Sequence, residues 1–208
     1  MIIFIIGINI IHKGYNYFLY KGNVMKVNAN ILCFTGHRTE KLPKSKTEFN
    51  QMTQSLIYEI NKAIIDGYDT FMFGACYGFD LICAERVLLR KQIVRQTDPV
   101  NINLVAIVPF EDQASKWKEK DREKYFNILS KCDEVITLNK NYRSGCFYER
   151  NRYMVDNCSR LICYYDGSNG GTRYTVEYAQ SKGLPISNIC NSYVLKEKKH
   201  KSLMQPMI

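Results

Sequence analysis

The chain has 208 residues, of which 46% are hydrophobic and 24% are charged, a composition typical of one globular domain with additions at its ends. Its eight cysteines include no CxxC pair, and it has only three histidines, which excludes a dense disulfide scaffold and disfavours structural zinc. Several cysteines lie in apolar runs such as Ile31–Phe34, so we expect free thiols and a reducing, cytoplasmic compartment.

The net charge of +9 is concentrated at the two ends of the chain. Residues 1–30 and residues 196–201 each contribute +3, and only +3 remains for residues 31–195. We therefore do not expect a basic groove for nucleic acid inside the fold. The basic tail at residues 191–208 is still suited to an anionic partner.

Residues 1–29 are interpreted as an N-terminal extension. The run Met1–Ile11 is apolar, but a membrane span needs about 20 such residues and a secretory signal has basic residues before its apolar run. We expect residues 1–24 to be dispensable, because Met25 precedes the first predicted strand of the sheet. The alternative is an extra edge strand or an apolar arm packed on the domain.

From Asn30 onward, short β-rich apolar runs alternate with segments of helical period. Strands are predicted at 31–35, 70–73, 102–108, 134–138, 161–165 and 185–189. Helices are predicted at about 49–64, 78–95, 113–132, 147–157 and 172–182. This alternation predicts an α/β fold over residues 30–190, a Rossmann-like three-layer sandwich with a mostly parallel sheet and helices on both faces.

Ligands of such sheets bind beyond the carboxyl ends of the strands, so the segments that follow the strands are the candidate site. Four of them carry glycine, charge or proline, and we expect them to form one pocket: 35–38, 74–80, 109–113 and 166–172. Glycines let a ligand approach the backbone, and a helix N-terminus favours phosphate. Because a single glycine there is often only a turn residue, the prediction depends on the set.

The motifs FTGHR at 34–38, GxxxGxD at 74–80, PFxxQxxxW at 109–117, RNxYMVD at 150–156 and YDGxxGGTxYTxxYA at 165–179 resemble the YpsA-like branch of the SLOG superfamily. The resemblance implies a domain that binds nucleotides or nucleotide-derived ligands. Relatives in the superfamily include cytokinin-activating phosphoribohydrolases, the DNA-processing protein DprA and sensor domains for nucleotide signals.

The motifs and the resemblance together give one set of predicted ligand-binding residues. They are Gly36, His37, Arg38, Gly74, Ala75, Gly78, Asp80, Pro109, Phe110, Gln113, Arg150, Asn151, Asp166, Gly170, Gly171, Thr172 and Thr175. No metal site and no cofactor are expected, because these loops have no cluster of suitable ligands.

The loops at 35–38 and 74–80 carry charged or titratable candidates for ligand contact. Arg38 has the bidentate geometry that phosphate requires, and His37 is a hydrogen-bond donor or proton shuttle. The alternative for Arg38 is a surface ion pair with Glu40. Asp80 is a candidate for a ribose hydroxyl, or it simply complements the dipole at the start of its helix.

The remaining candidates also have structural alternatives. Arg150 and Asn151 suit phosphate or ribose, unless they lie on a solvated helix face beside Glu149. Gln113 is favoured over Trp117 as a ligand contact, because an aromatic residue on an otherwise charged helix is typically a core anchor, although Trp117 is also able to stack on a base. Asp166 is alternatively a cap of the turn that follows it.

Catalysis is the less favoured interpretation. The phosphoribohydrolase motif PGGxGTxxE supplies a glutamate, and aligning its GT with Gly171-Thr172 puts Thr175 at that position. Arg150 can fill the family's arginine position, but threonine is a poor acid or base for breaking a glycosidic bond. The candidate catalytic residues are therefore Arg150, Asp80 and Asp166.

The leading hypothesis is binding or sensing of a nucleotide-derived small molecule, with homo-oligomerisation left open. The alternatives are an N-glycosidase or phosphoribohydrolase, a DprA-like single-stranded DNA binder and an adaptor that acts through protein contacts. The low charge of residues 31–195 makes nucleic acid an unlikely partner, since a DNA groove would be basic and aromatic. No membrane partner is expected.

Overall fold

The computed structural model describes residues 9–12, 15–20, 23–27, 30–97 and 101–190. Its strands are β1 Asn9–His12, β2 Tyr15–Tyr20, β3 Asn23–Val27, β4 Ile31–Gly36, β5 Thr70–Phe73, β6 Asn103–Val108, β7 Glu134–Thr137, β8 Arg160–Tyr164 and β9 Ile186–Asn188. Its α-helices are α1 Lys46–Ile65, α2 Phe79–Thr97, α3 Glu119–Leu129, α4 Cys146–Asp156 and α5 Gly171–Ser181. A 3-10 helix spans Thr39–Lys41.

Strands β4 to β9 form one six-stranded sheet in the order β7-β6-β5-β4-β8-β9, and every neighbouring pair is parallel. The chain builds outward from β4 through β5, β6 and β7, and then returns to add β8 and β9 on the other side. Parallel neighbours require crossover connections, which the helices provide. The predicted Rossmann-like fold is therefore confirmed.

The alternation of side chains along the strands separates the core into two layers, one on each face of the sheet. In β4, Leu32 and Phe34 pack with residues of α1, α2 and α3, whereas Cys33 packs with residues of α4 and α5. Both layers are apolar and closed to solvent, because helices cover both faces as a parallel sheet requires. This is the three-layer sandwich predicted from the sequence.

The N-terminal extension contains strands that the sequence analysis did not predict. Strands β1, β2 and β3 form an antiparallel sheet of their own, and the six-stranded sheet begins at Ile31. Within the described part of the extension, no strand therefore joins the edge of the main sheet. The basic tail at 191–208 lies outside the described residues.

The third helix begins later than predicted, at Glu119 rather than at Gln113. Residues 111–117 form consecutive turns, in which the backbone N–H groups of Gln113 and Trp117 donate to carbonyls three residues earlier. The side chains whose spacing suggested a helix over this segment project from turns instead. Trp117 packs against the core from this turn segment, with its ring centroid 5.2 Å from that of Tyr125, as expected of a core anchor.

In the described part of the chain, none of the helices combines the length and the apolar character that crossing a membrane requires.

Candidate functional site

A cavity lies at the carboxyl edge of the sheet, at the point where the chain changes direction between β4 and β8. Loops that follow these two strands diverge to opposite sides, which opens the crevice typical of ligand sites in parallel sheets. The cavity has a volume of about 340 Å³. Its lining residues are Phe34, Thr35, Gly36, His37, Arg38, Glu40, Lys41, Cys76, Asp80, Phe147, Arg150, Asn151, Met154, Asn169, Gly170, Gly171 and Thr172.

Three of the four predicted loops contribute to this cavity, and the fourth does not. The amide of Gln113 is buried and donates to the carbonyl of Ala75 at 3.1 Å and to the Tyr125 hydroxyl at 3.2 Å. The carbonyl of Pro109 accepts from the Asn139 amide at 2.9 Å. The expectation that all four loops line one pocket was therefore wrong for 109–113, where the Gln113 amide nitrogen and the Pro109 carbonyl are bonded to other parts of the fold.

Phe110 contacts the cavity indirectly, through a residue that lines it. Its ring packs edge-on against Phe147, with centroids 5.9 Å apart, and Phe147 itself lines the cavity. Phe110 therefore supports a cavity wall without forming part of it.

Arg150 and Asp80 form a buried polar pair on one side of the cavity. Both side chains are below 10% exposed, and Nη1 of Arg150 lies 4.0 Å from Oδ2 of Asp80. The same guanidinium donates to the carbonyl of Gly74 and, through Nε, to Oδ1 of Asn151 at 2.8 Å. Gly74 is required here, because a Cβ at that position would collide with the guanidinium. The alternative of a solvated helix face for Arg150 and Asn151 is therefore wrong.

The environment of Asp80 changes its ionisation. Burial raises the pKa of this carboxyl to about 6, although Arg150 and the backbone N–H of Cys76 favour the charged form. Desolvation outweighs these partners because burial removes the hydration that stabilises the charged form of the carboxyl. Near neutral pH, Asp80 therefore exchanges between an acceptor and a donor of hydrogen bonds.

His37 links the loops after β4 and β8. Its Nε2 lies 2.8 Å from Oδ1 of Asp166, and its Nδ1 lies 3.4 Å from Oγ1 of Thr172. Burial lowers the pKa of His37, with Asp166 opposing that effect, so the imidazole is neutral at pH 7. Burial raises the pKa of Asp166, but hydrogen bonds from Ser168 and the contact with His37 outweigh it and hold the pKa at about 2.

Asp166 also caps its own turn, as the structural alternative proposed, since Oδ1 accepts from the backbone N–H of Ser168 at 2.8 Å. The cap and the histidine contact are made by one carboxylate oxygen. Asp166 is absent from the cavity lining, so it acts on the cavity through His37.

Two cations stand at the mouth of the cavity. Arg38 is exposed, with Nη1 3.3 Å from the Tyr77 hydroxyl and its guanidinium 5.1 Å from the centre of that ring. Among the ion pairs of the described residues, the Arg38–Glu40 pair does not occur. The Lys41 ammonium donates to the Ser168 hydroxyl at 2.8 Å.

Helix α5 points its N-terminus at the same cavity. Gly170 occupies the N-cap position at φ +143°, with no side chain to satisfy the first N–H groups, and a Cβ on Gly171 would meet no atom within 4 Å. These N–H groups are therefore open to an anion. Thr175 lies one turn further on, fully buried, and its hydroxyl donates to the carbonyl of Gly171 at 2.9 Å.

Gly36, Gly78 and Ala75 shape the backbone of the site. A Cβ on Gly36 would overlap the ring of Phe79, and Gly78 has a φ of +99° with backbone atoms of residues 37–39 within 2.7 Å of its Cβ position. Ala75 has a φ of +52°, which is unusual for a residue with a side chain. Gly36 lines the cavity, whereas Ala75 and Gly78 hold the loops from outside it.

Sequence reasoning missed several lining residues, and one pattern would have found two of them, Phe147 and Met154. Phe147, Arg150, Asn151 and Met154 follow a spacing of three, one and three on α4, so they share one helix face. That face opens into the cavity. By contrast, nothing in the local sequence marks Cys76, Glu40, Lys41 or Asn169.

Among the described residues, no group of three or more histidine, cysteine, aspartate or glutamate side chains is arranged to hold a metal ion.

A parallel sheet covered by helices on both faces, with a glycine-lined cavity at its switch point, defines a Rossmann-like α/β domain. The chain belongs to the family described as the YspA SLOG family, whose model matches residues 32–189, and this confirms the resemblance stated from the motifs. It is 31% identical over 157 residues to a UPF0398 protein of Halalkalibacterium halodurans, covering 74% of this chain and 77% of that protein. It is 28% identical over 171 residues to a UPF0398 protein of Bacillus cereus strain G9842, covering 79% and 90%.

Solved structures with the same fold include two DNA-processing proteins. DprA from Streptococcus pneumoniae matches with a TM-score of 0.54 and 14% identity, over 87% of this chain and 59% of that one, so this chain spans about three fifths of its length. DprA from Helicobacter pylori, a protein with a described single-stranded DNA binding mode, matches with a TM-score of 0.53 and 15% identity, over 84% of this chain and 74% of that one. At such identities the likeness is one of fold.

Proposed function

We propose that the cavity binds a nucleotide or a nucleotide-derived small molecule. The observation that carries the proposal is that the open N-terminus of α5 and the buried Asp80–Arg150 pair face one cavity. The first suits a phosphate and the second suits the polar edge of a base. Family membership supports the same class of ligand.

The phosphate end of the proposed site is at Gly170 and Gly171. Free backbone N–H groups and the positive end of the helix dipole attract an anion there. Lys41 and Arg38 add positive charge at the mouth of the same cavity. Arg38 is exposed, and a guanidinium has five N–H groups, so its contacts with Tyr77 and Cys76 leave N–H groups available to a ligand.

The base end of the proposed site is between β4 and α4. Phe34, Phe147 and Met154 give it apolar walls, and Asp80 and Asn151 give it hydrogen-bonding groups. Mostly apolar walls with a few convergent polar groups are typical of small-molecule sites. The volume of about 340 Å³ lies near the lower end of the range for such pockets, roughly 300–1,000 Å³. A mononucleotide-sized ligand fits this size better than a polymer.

The proposal is for binding, because the helix position that a catalytic glutamate would occupy holds Thr175, whose hydroxyl is already bonded to the backbone. Two acids line the cavity, Glu40 and Asp80, and burial raises the pKa of Asp80 to about 6, a value suited to proton transfer near that pH. Chromatography of incubated nucleotides distinguishes binding from hydrolysis, since an N-glycosidase would release free base.

The experiment is isothermal titration calorimetry of the full chain with the four ribonucleoside 5′-monophosphates, ADP-ribose and a thymidine oligonucleotide. We expect saturable binding of at least one small nucleotide at one site per chain, and no tighter binding of the oligonucleotide. Binding of the oligonucleotide alone would favour the DNA-binding alternative. No saturable binding of any of these compounds would contradict the proposal.

A further inference from the structure

Thr172, His37 and Asp166 form a chain of hydrogen bonds that ends inside the cavity. Oγ1 of Thr172 lies 3.4 Å from Nδ1 of His37, and Nε2 of the same ring lies 2.8 Å from Oδ1 of Asp166. Thr172 lines the cavity at the second residue of α5, and its side chain is otherwise buried. The direction of the hydrogen bonds in this chain determines what Thr172 offers to a ligand.

The direction follows from the charge of Asp166. A carboxylate with a pKa of about 2 is ionised at neutral pH and only accepts hydrogen bonds, so Nε2 must carry the proton that it shares with Oδ1. The backbone N–H of Asp166 also lies 3.3 Å from Nε2, which would favour a bare nitrogen. The shorter bond to a charged acceptor is the stronger of the two.

A neutral imidazole with its proton on Nε2 has an unprotonated Nδ1, which accepts a hydrogen bond. The hydroxyl of Thr172 has a single hydrogen, and it donates this hydrogen in the hydrogen bond to Nδ1 of His37. Oγ1 therefore presents lone pairs to the cavity and can only accept from a ligand. A phosphate dianion carries no proton to donate, so the group that meets Oγ1 has to be a donor such as a sugar hydroxyl.

We propose that Thr172, oriented by His37 and Asp166, is a specificity-determining residue that accepts a hydrogen bond from a ribose hydroxyl and makes the cavity selective for ribonucleotides. This inference rests on the proposed function, because it assigns the sugar subsite of the same ligand. The position agrees with the two ends of the site: Thr172 adjoins the phosphate end at Gly171, and a ribose lies next to the phosphate in a 5′-nucleotide.

The test compares the ribonucleoside 5′-monophosphate that binds tightest with its 2′-deoxy and 3′-deoxy counterparts by calorimetry at pH 7.5. Wild-type protein is expected to bind at least one deoxy analogue about two- to tenfold more weakly, the effect of losing one hydrogen bond. The quantity compared between variants is the ratio of the dissociation constant of that deoxy analogue to the dissociation constant of the ribonucleotide. In Thr172→Val, which keeps the shape of the side chain, this ratio should approach one. Thr172→Ser keeps the hydroxyl and should keep the ratio.

Two further variants make the outcome specific to this chain of hydrogen bonds. Asp166→Asn is expected to reduce the ratio without touching the ligand, because an amide can donate to Nε2 and move the proton to Nδ1. Thr53→Val, a threonine of α1 that does not line the cavity, should leave the ratio as in wild type. Circular dichroism would verify that each variant is folded.

Equal affinity of the wild type for the ribonucleotide and both deoxy analogues would overturn this inference alone, since binding itself would stand. A ratio that persists in Thr172→Val would also overturn it. If none of the nucleotides binds, the proposed function fails first and this inference fails with it.

Discussion

His37 and Asp166 are separated by 129 residues in sequence, and their side chains meet at 2.8 Å. The contact joins the ends of β4 and β8, the two neighbouring strands between which the chain changes direction. It fixes the histidine ring beside Thr172 and holds the loop at 166–172 against the loop at 36–38. The edges of the candidate site are thus tied together by one ionised carboxylate.

Replacing Arg38 by alanine should weaken nucleotide binding with little change in stability. A hydrogen bond between a charged donor and phosphate contributes about 1.5–3 kcal/mol, so the dissociation constant should rise at least tenfold. Arg38 is exposed, and its partners Tyr77 and Cys76 belong to one loop at the edge of the cavity, so its loss leaves the core intact. Calorimetry and thermal unfolding measure the two effects.

The matched control for Arg38→Ala is Arg152→Ala. Arg152 is also exposed and also donates to a tyrosine hydroxyl, that of Tyr174, but it does not line the cavity. Equal affinities of both variants and wild type would contradict the role of Arg38.

Adding a side chain at Gly171 should weaken nucleotide binding, whereas adding one at Gly78 should lower the stability of the fold. Gly171→Val places methyl groups in open space at the start of α5, so binding should weaken while the protein remains folded. Gly78→Ala forces a Cβ against backbone at 2.7 Å with φ at +99°, so the free energy of unfolding should fall by at least about 1–2 kcal/mol. Denaturant unfolding and nucleotide titration of both variants test this contrast. Unchanged binding by Gly171→Val would show that its glycine is only a turn residue.

The titration of Asp80 should lower the free energy of unfolding of the wild-type protein as the pH rises from about 4 to about 6. Its pKa of about 6 in the folded protein lies above the ordinary value of 3.8, so the folded state binds more protons in that window. The stabilisation is complete below pH 4 and lost as the pH passes 6, with a magnitude of up to about 3 kcal/mol. In Asp80→Asn this component of the pH dependence should disappear. Urea unfolding at pH 4, 5, 6 and 7 measures it.

The control for Asp80→Asn is Asp66→Asn. The hydrogen bond from Lys62 lowers the pKa of the exposed Asp66 carboxyl below the ordinary value of 3.8, so its stabilisation is present above pH 4 and lost only as the pH falls below that. Between pH 4 and 6 this variant should retain the slope of the wild type. Coincident pH profiles of Asp80→Asn and wild type would refute the raised pKa of Asp80.

Deleting residues 1–24 should leave the melting temperature and nucleotide binding nearly unchanged. The deletion removes β1 and β2 and cuts β3, which pair with each other and not with the six-stranded sheet. Differential scanning calorimetry of the shortened chain is the measurement. A melting temperature lower by ten degrees or more would mean that the extension contributes to the core.

The fold was predictable because the six parallel strands are apolar and short and the helices between them have a clear period. The strands at 9–27 could not be predicted in the same way. Apolar and polar residues alternate irregularly there, and the pairing of strands in a hairpin depends on the register between segments. The start of α3 was misjudged for another reason: Gln113 and Trp117 fit a helical spacing but are anchored to the core from turns.

The candidate site was predictable where position at a strand end was enough, as for His37, Asp80 and Gly171. Contacts between distant segments were not visible, such as those of His37 with Asp166 and of Gln113 with the carbonyl of Ala75. A sequence pattern also cannot tell which side of a loop faces the ligand. For this reason Cys76 was missed and Pro109 was included.

The most direct test of the account is a crystal structure of the full chain with the nucleotide that binds tightest in calorimetry. The account predicts density in the cavity between β4, α4 and α5, with a phosphate at the backbone N–H of Gly171 and the base beside Phe147 and Asp80. A nucleotide bound at any other surface, with this cavity empty, would contradict it.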